Sequence, residues 1–441
     1  MHICKNFLTI GLFSGKKKIL RVLYYCGVQV IKIMRVNNIS FGAKINSIPN
    51  IQSLAGKSLS VPEIHLNGYT AMIGCDVFTP SCKIAKHDLL FKDKKIIAID
   101  DFDEKDISSN IDYAFLNGKI VTPAIFDEHI HGGYGVSFHN SSEQEIRGLL
   151  KRLAQEGTGA VIATTLPGSA KTIRNQIKVL NNIIKNPDEG AAKIYGIHLE
   201  GPFLSEEKKG IHSVVDLMTP TIQNYESFEP ENVKIVTLAP ELDKGFKLTK
   251  YLQERGVIVS AGHSTASAEK MIRAGIKQVT HLFNAMAAFH HREPTIANEG
   301  LNNPEVTAEM LADQYSLAPE TMNMIMKLKP KSKLVLISDA LPNAGIKENF
   351  IMGGKVIYVD DNLVPRDIDK TLAGNMKFLH NVAKILIKLT NMSFKDFVRY
   401  ACINPAKNLG VINDFKIKEN LEPNFSIWDK QTITPEKTFI K

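Results

Sequence analysis

Eight short runs of β-branched and apolar residues recur between residues 119 and 337, at 119–122, 160–165, 193–199, 234–238, 257–261, 278–282, 306–311 and 333–337. Amphipathic helical patterns at 142–155, 170–184, 247–255, 266–274 and 320–328 separate most of them. Such alternation is the pattern of a parallel sheet with helical crossovers. Two architectures satisfy it, a closed barrel and a doubly wound open sheet, and eight strands in about 220 residues is what a (β/α)8 TIM-type barrel requires. The choice between them rests on where the polar residues sit.

Nearly every run ends in a histidine or a carboxylate. The first runs out into Asp127-Glu128-His129-Ile130-His131-Gly132-Gly133, the third into His198-Leu199-Glu200-Gly201-Pro202, and the fifth into Gly262-His263-Ser264. The sixth carries Thr280-His281 and the eighth ends in Ser338-Asp339-Ala340. In extended backbone His129 and His131 fall on one side, because side chains alternate with period two. Each motif alone has a plain structural reading: an H-x-H pair on a surface or in a core, His263 capping a helix, Glu200 as a solvated loop charge. All of these plain readings together require five strands to place metal-preferring side chains at one rim independently. Imidazole and carboxylate without thiolate suit zinc, iron or manganese, and the C-terminal rim is where barrel enzymes carry their chemistry. Asp339, at the end of the last strand, is placed to hold and deprotonate a water whose pKa a metal lowers from about 15.7 toward roughly 7. The residues point to metal-assisted hydrolysis.

The flanks differ from this body. Residues 1–62 hold nine Lys/Arg and no Asp/Glu, which leaves 45 basic against 46 acidic residues beyond them. The net charge of +8 therefore belongs to the leader and supports no nucleic-acid groove in the body. The apolar stretch 19–34 is interrupted by Arg21 and Lys32 and is shorter than the roughly 20 residues of a spanning helix. Residues 1–60 are read as a disordered or mis-started leader, with Met34 as an alternative start, and no membrane partner is expected. The five cysteines, Cys4, Cys26, Cys75, Cys82 and Cys402, are scattered and never spaced C-x-x-C, which fits a reducing, cytoplasmic setting and no thiolate zinc site. β-rich stretches at 61–121 and 411–441 are expected to build one small β-sandwich domain from both chain ends, around a barrel at 122–410.

Longer motifs carry a resemblance. Phe126-Asp127-Glu128-His129-Ile130-His131-Gly132, His198-Leu199-Glu200-Gly201-Pro202-Phe203, Lys209-Gly210-Ile211-His212 and Ala261-Gly262-His263-Ser264 are the first four. Thr280-His281-Leu282-Phe283-Asn284-Ala285-Met286, Arg292-Glu293-Pro294, Ser338-Asp339-Ala340, Thr371-Leu372-Ala373-Gly374 and Asn404-Pro405-Ala406 complete the set. Together, over roughly residues 80–430, they resemble the amidohydrolase superfamily and, within it, the N-acetylglucosamine-6-phosphate deacetylases. That resemblance implies a divalent metal held by Glu200, His263 and His281, and a second within reach of His129, His131 and Asp339. It implies His212 polarising the acetamide carbonyl, and Asp339 acting first as base and then as acid. Ile211, Asn284, Ala285 and Asp313 would contact an amino sugar phosphate, and Leu372, Ala373 and Gly374 would close over the sugar. Arg292 would reach the neighbouring subunit's site in a homodimer.

Three places depart from the family pattern. Asp313-Gln314-Tyr315-Ser316 stands where Asp-Gly-x-His is usual, so Ser316 replaces a substrate-contacting histidine. Pro123-Ala124-Ile125 replaces a proline-glycine entry, and Asn424 stands where an aspartate is common. The departure at Ser316 keeps another N-acetyl amino sugar phosphate, such as the galactosamine isomer, in view as substrate. A non-catalytic sugar-phosphate-binding barrel is a further alternative, opposed by the retained Asp339. A third alternative is an unrelated amide or cyclic-amide hydrolase of the superfamily, but many of those use a bridging lysine, whereas the candidate ligand here is Glu200.

Overall fold

The computed structural model describes residues 9–14, 17–26, 29–32, 60–100, 111–352 and 355–441. In the leader it describes the backbone of three strands, Thr9–Ser14, Lys17–Cys26 and Gln29–Lys32, paired antiparallel in that order. The rest of 1–59, Met34 and Cys4 included, lies outside the described residues. The chain divides into two compact units, Met1–Val121 with Ile417–Glu422, and Thr122–Lys416 with Pro423–Lys441.

In the first unit Tyr69–Phe78 pairs antiparallel with Ile84–Lys92, which pairs with Lys95–Asp100. Asp93 and Lys94 turn that second hairpin with φ of 47° and 69°, the left-handed pair a two-residue turn needs. Ala71, Leu90, Ala98 and Ile111 form its apolar centre. Residues from the chain's far end belong here too: the Ile96 amide donates to Leu421 O and the Asn420 amide to Ile96 O.

The second unit is the barrel. Its strands are Ile125–Ile130, Thr158–Thr165, Lys193–Glu200, Val233–Leu238, Ile258–Ala261, Gln278–Val279, Thr307–Leu311 and Leu334–Ile337, each parallel to the next in chain order. The first and eighth meet at the rim, where the Asp339 amide donates to His129 O at 2.8 Å and the His131 amide to Ala340 O at 2.9 Å. Helices form where the periodicity predicts them. Ser142 begins Glu143–Gln155 with a capping box, its Oγ accepting from the Glu145 amide while its own amide donates to Glu145 Oε2. Ser169 caps Ala170–Lys185, and the two helices bury Ile146, Leu149, Leu153, Ile173, Ile177 and Leu180 against the sheet.

One strand expectation is corrected. Lys119–Pro123 is not the first barrel strand; it pairs parallel with Tyr69–Phe78 through Asp76↔Ile120 and Val77↔Val121. The first barrel strand is Ile125–Ile130, buried at all six positions although it reads Ile-Phe-Asp-Glu-His-Ile. Polar residues that satisfy one another inside a barrel look, in sequence, like a strand that has already ended.

After the eighth strand Phe350–Met352, Lys355–Val359 and Pro365–Arg366 form a small antiparallel sheet. Helices Leu379–Leu389 and Phe394–Val398 follow, and the latter continues through a widened π-turn at Arg399–Ile403 into Asn404–Asn408. Pro405, with no amide hydrogen to donate, sits just after that turn. The terminal hairpin Phe425–Asp429 with Thr434–Phe439 packs Trp428 against Phe394 and Phe397. No described helix is long and apolar enough to cross a membrane.

Candidate metal centre and active site

Glu200 and six other side chains, from five strand ends and one loop, converge on one another. Its Oε1 lies 3.0 Å from His281 Nε2, 3.2 Å from His263 Nε2 and 3.4 Å from His129 Nε2. Its Oε2 lies 3.0 Å from His131 Nε2 and 3.6 Å from His212 Nε2. Asp339 Oδ1 completes the group at 3.2 Å from His131 Nε2 and 3.4 Å from His129 Nε2. His263, His281 and Asp339 adopt left-handed φ of 47°, 30° and 49° just beyond their strands. A non-glycine residue there costs roughly 1–2 kcal/mol, and such residues persist where the surroundings over-determine them, commonly at functional sites.

The tautomers show what the cluster is built for. His263 Nδ1 faces Lys208 O at 2.8 Å and His281 Nδ1 faces Asn284 O at 3.1 Å. A carbonyl only accepts, so each Nδ1 carries the hydrogen and each Nε2 presents a lone pair. Those two Nε2 atoms lie 3.1 Å apart and both face Glu200 Oε1. Three acceptors aimed at one point fit a divalent cation, and ligating histidines normally donate their other N–H to an oxygen in this way. Beside them, His129 Nε2 is buried with no hydrogen-bond partner among the described residues. Two groups of ligand atoms, His129/His131/Asp339 and Glu200/His212/His263, are each compact enough to share an ion.

Charge follows the same geometry. Burial pulls the His131 imidazole down, but the Asp339 and Glu200 carboxylates outweigh it and lift its pKa to about 9. Burial holds His263 down at about 4 despite Glu200. Burial also lowers His139 to about 4, helped by His131 and His212. His198 lies under the cluster rather than in it: Nε2 meets Thr237 Oγ1 at 2.8 Å, its ring stands edge-on to His129, and burial holds its pKa well below the ordinary imidazole range.

The remaining expected site residues have definite places. The loop 205–212 is tied to His263 by the Ser205 amide donating to His263 O, as well as by Lys208 O. Ile211 packs on the apolar cluster of Leu341, Met352, Ile357, Ala373 and Met376. Asn284 and Ala285 lie in the turn after His281, and the Ser264 amide donates to Ala285 O. Leu372, Ala373 and Gly374 border the eighth strand's end, where the Leu341 amide donates to Asn375 O and Asn375 Nδ2 to Ser338 O. Asp313 Oδ1 accepts the amides of Tyr315 and Ser316, closing the departed turn on itself without left-handed backbone at Gln314. Arg292 is exposed, away from the described cluster contacts. Asn424 is absorbed locally, donating to Tyr195 Oη and accepting the Lys441 amide.

Two carboxylates escaped the sequence reading. Glu309, inside the seventh strand, accepts from His129 Nδ1 at 3.0 Å. Glu241 accepts from Ser264 Oγ and the Thr265 amide at 2.6 Å each, fixing the loop after His263. The available signal for Glu309 was an acidic residue at an inward strand position.

Residues 120–441 match the model of the amidohydrolase family. The chain belongs to that family. It is 32% identical over 305 residues to the N-acetylglucosamine-6-phosphate deacetylase of Bacillus subtilis (strain 168), covering 67% of this chain and 76% of that one. It is 27% identical over 302 residues to an N-acetylgalactosamine-6-phosphate deacetylase of Escherichia coli O157:H7, covering 67% of this chain and 79% of that one. Among solved structures, the N-acetylglucosamine-6-phosphate deacetylase of Thermotoga maritima superposes with a TM-score of 0.74 at 26% identity, over 83% of this chain and 99% of that one. The amidohydrolase barrel and its accompanying β-domain are thus the architecture seen here.

Proposed function

We propose that this amidohydrolase removes the acetyl group of N-acetylglucosamine 6-phosphate, giving acetate and glucosamine 6-phosphate, in cytoplasmic amino-sugar breakdown. The observation that carries the reading is the convergence of Glu200 Oε1, His263 Nε2 and His281 Nε2 as three acceptors beside a carboxylate, Asp339, that shares the site. The names of the relatives supply the substrate.

In this reading Glu200, His263 and His281 hold one divalent ion, zinc, iron or manganese, and His129, His131 and Asp339 accommodate a second. A cation there supplies Lewis acidity, which makes water a stronger acid and the amide carbonyl a better electrophile. The chain does the rest. Asp339 takes the proton of the attacking water on a carboxylate oxygen as the carbon–oxygen bond forms. It then delivers that proton to the amine nitrogen as the carbon–nitrogen bond breaks. His212 donates to the carbonyl oxygen as negative charge develops there. Ile211, Asn284, Ala285, Asp313 and Ser316 border the sugar, with Leu372, Ala373 and Gly374 above it. Arg292, exposed in one chain, offers its planar fork to the phosphate of a second chain's substrate in a homodimer.

The test is acetate release from N-acetylglucosamine 6-phosphate by protein loaded in turn with zinc, iron or manganese, with loss of activity on chelation and recovery on reloading. No turnover with any of the three metals defeats the proposal. Ser316 favours a second reading in which the galactosamine epimer is preferred, since a histidine contact is missing and such a contact is worth about 1–3 kcal/mol. Comparing kcat/KM for the two epimers, in the native protein and in Ser316→His, separates them.

A further inference from the structure

Below the cluster, the bore of the barrel holds polar side chains that none of the steps above employs. Glu309 stands midway along the seventh strand, Thr307–Leu311, and is fully buried. Three donors from two other strands or their ends occupy its carboxylate. Oε2 accepts from His129 Nδ1 at 3.0 Å and from the His281 amide at 3.2 Å, and Oε1 accepts from Gln278 Nε2 at 3.1 Å. Gln278 is held in turn by Asn408, whose Nδ2 donates to Gln278 Oε1 at 2.9 Å.

We propose that Glu309 is a positioning residue that sets both halves of the metal centre, fixing the tautomer and ring of His129 and the backbone from which His281 projects. The proposal rests on the metal-assisted reading of the cluster.

The chemistry of the contact gives the direction. With a carboxylate at Nδ1, the imidazole keeps its hydrogen on that nitrogen and its lone pair on Nε2. That Nε2 is the buried atom without a partner, 3.4 Å from both Glu200 Oε1 and Asp339 Oδ1. The same oxygen of Glu309 also receives the His281 amide at the point where the chain enters its left-handed turn. One carboxylate oxygen therefore spans the two candidate half-sites, His129 on one and His281 on the other. A side chain serving only to fill the bore would not need a charge-bearing acceptor shared between two ligand-bearing segments. Carboxylates that orient metal-bound histidines are typically worth 10–100-fold in metal affinity.

The experiment uses the full-length protein freed of metal and titrated with cobalt(II), followed by equilibrium dialysis and visible absorption. Glu309→Gln keeps the shape and one acceptor but removes the charge. It is expected to weaken cobalt binding 10–100-fold and to change the absorption bands, while the circular dichroism stays as in the parent. Glu309→Asp, too short to reach all three donors, is expected to fall between the parent and Glu309→Gln and serves in place of Glu309→Gln if that variant does not fold. In a His129→Ala background the Glu309→Gln effect is expected to shrink at least severalfold, because its main intermediary is gone; a general packing defect would persist undiminished. Cobalt affinity within about threefold of the parent and unchanged bands in both variants overturn the proposal, as does a loss of equal size in the His129→Ala background. Acetate release by the parent is measured alongside. Tight cobalt binding with no acetate release from the zinc, iron or manganese form removes the deacetylase reading and leaves Glu309's role standing, whereas active parent enzyme with cobalt-indifferent variants removes only the latter.

Discussion

Replacing Asp339 with asparagine tests the proton-transfer role with little disturbance to the fold. Asp339 sits at φ 49°, and asparagine is among the few non-glycine residues that enter the left-handed region readily. The side-chain amide keeps an oxygen where Oδ1 now lies, 3.2 Å from His131 Nε2 and 3.4 Å from His129 Nε2, and the backbone N–H of residue 339 still donates to His129 O. Only the charge and the capacity to take a proton are lost. General acid–base catalysis contributes about 10²–10⁴ in rate, roughly 3–5 kcal/mol of barrier. Asp339→Asn is therefore expected to lower kcat for acetate release by at least a hundredfold with KM changed little. Metal retained at the Glu200, His263 and His281 site is counted by elemental analysis and Tm by calorimetry, both expected near the parent's. A kcat within tenfold of the parent at matched metal content would show that another group moves the proton. Loss of metal in step with activity would make Asp339 a ligand first.

Two other substitutions read the fold around the site. Burial, reinforced by the negative charge of Glu309, pushes Glu128 up to about 8, against about 4.3 for a free glutamate. Between those values the folded chain binds the extra proton, so this group's contribution to stability declines as pH rises and its penalty is complete above about 8. Glu128→Gln removes the titration, and its Tm relative to the parent is expected to climb from pH 5 to pH 8; a constant difference across that range contradicts the assignment. Gly374 has φ +123° and a Cβ there would stand 2.8 Å from Leu341 Cδ2. Gly374→Ala is expected to cost about 1–3 kcal/mol in denaturant titration and to raise KM for the sugar phosphate, and an unchanged KM would detach that loop from the substrate.

Much of this site is legible in the sequence because period-two geometry and strand-end position are local properties. His129 and His131 lie two positions apart in the chain and do turn both Nε2 atoms toward Glu200 and Asp339. Glu200, His263, His281 and Asp339 could be placed at one rim once a barrel was assumed, since parallel strands end at the same face. Other features depend on partners far away in the chain. Glu309 reads as an ordinary acidic residue until His129, 180 positions earlier, is brought against it. Ile125–Ile130 hides as a strand for the same reason, its Asp127 and Glu128 accepting hydrogen bonds from the Ser338 amide and the Asn408 side chain. The sixth strand is regular only at Gln278–Val279, shorter than the apolar run implies, and just beyond it the Thr280 hydroxyl joins those of Thr237 and Ser260. Arg292 carries no local signal, since its proposed work is done in another copy of the chain.

The seam that joins the first strand to the eighth is stitched by the main chain of His129, His131, Asp339 and Ala340. Shape and reactivity are completed by the same two amide links. During synthesis, a chain halted before residue 334 possesses most of its imidazoles but neither the final acid nor the stave that shuts the cask. The rim then closes late, and amide protons at positions 131 and 339 should be a sensitive clock for that closure.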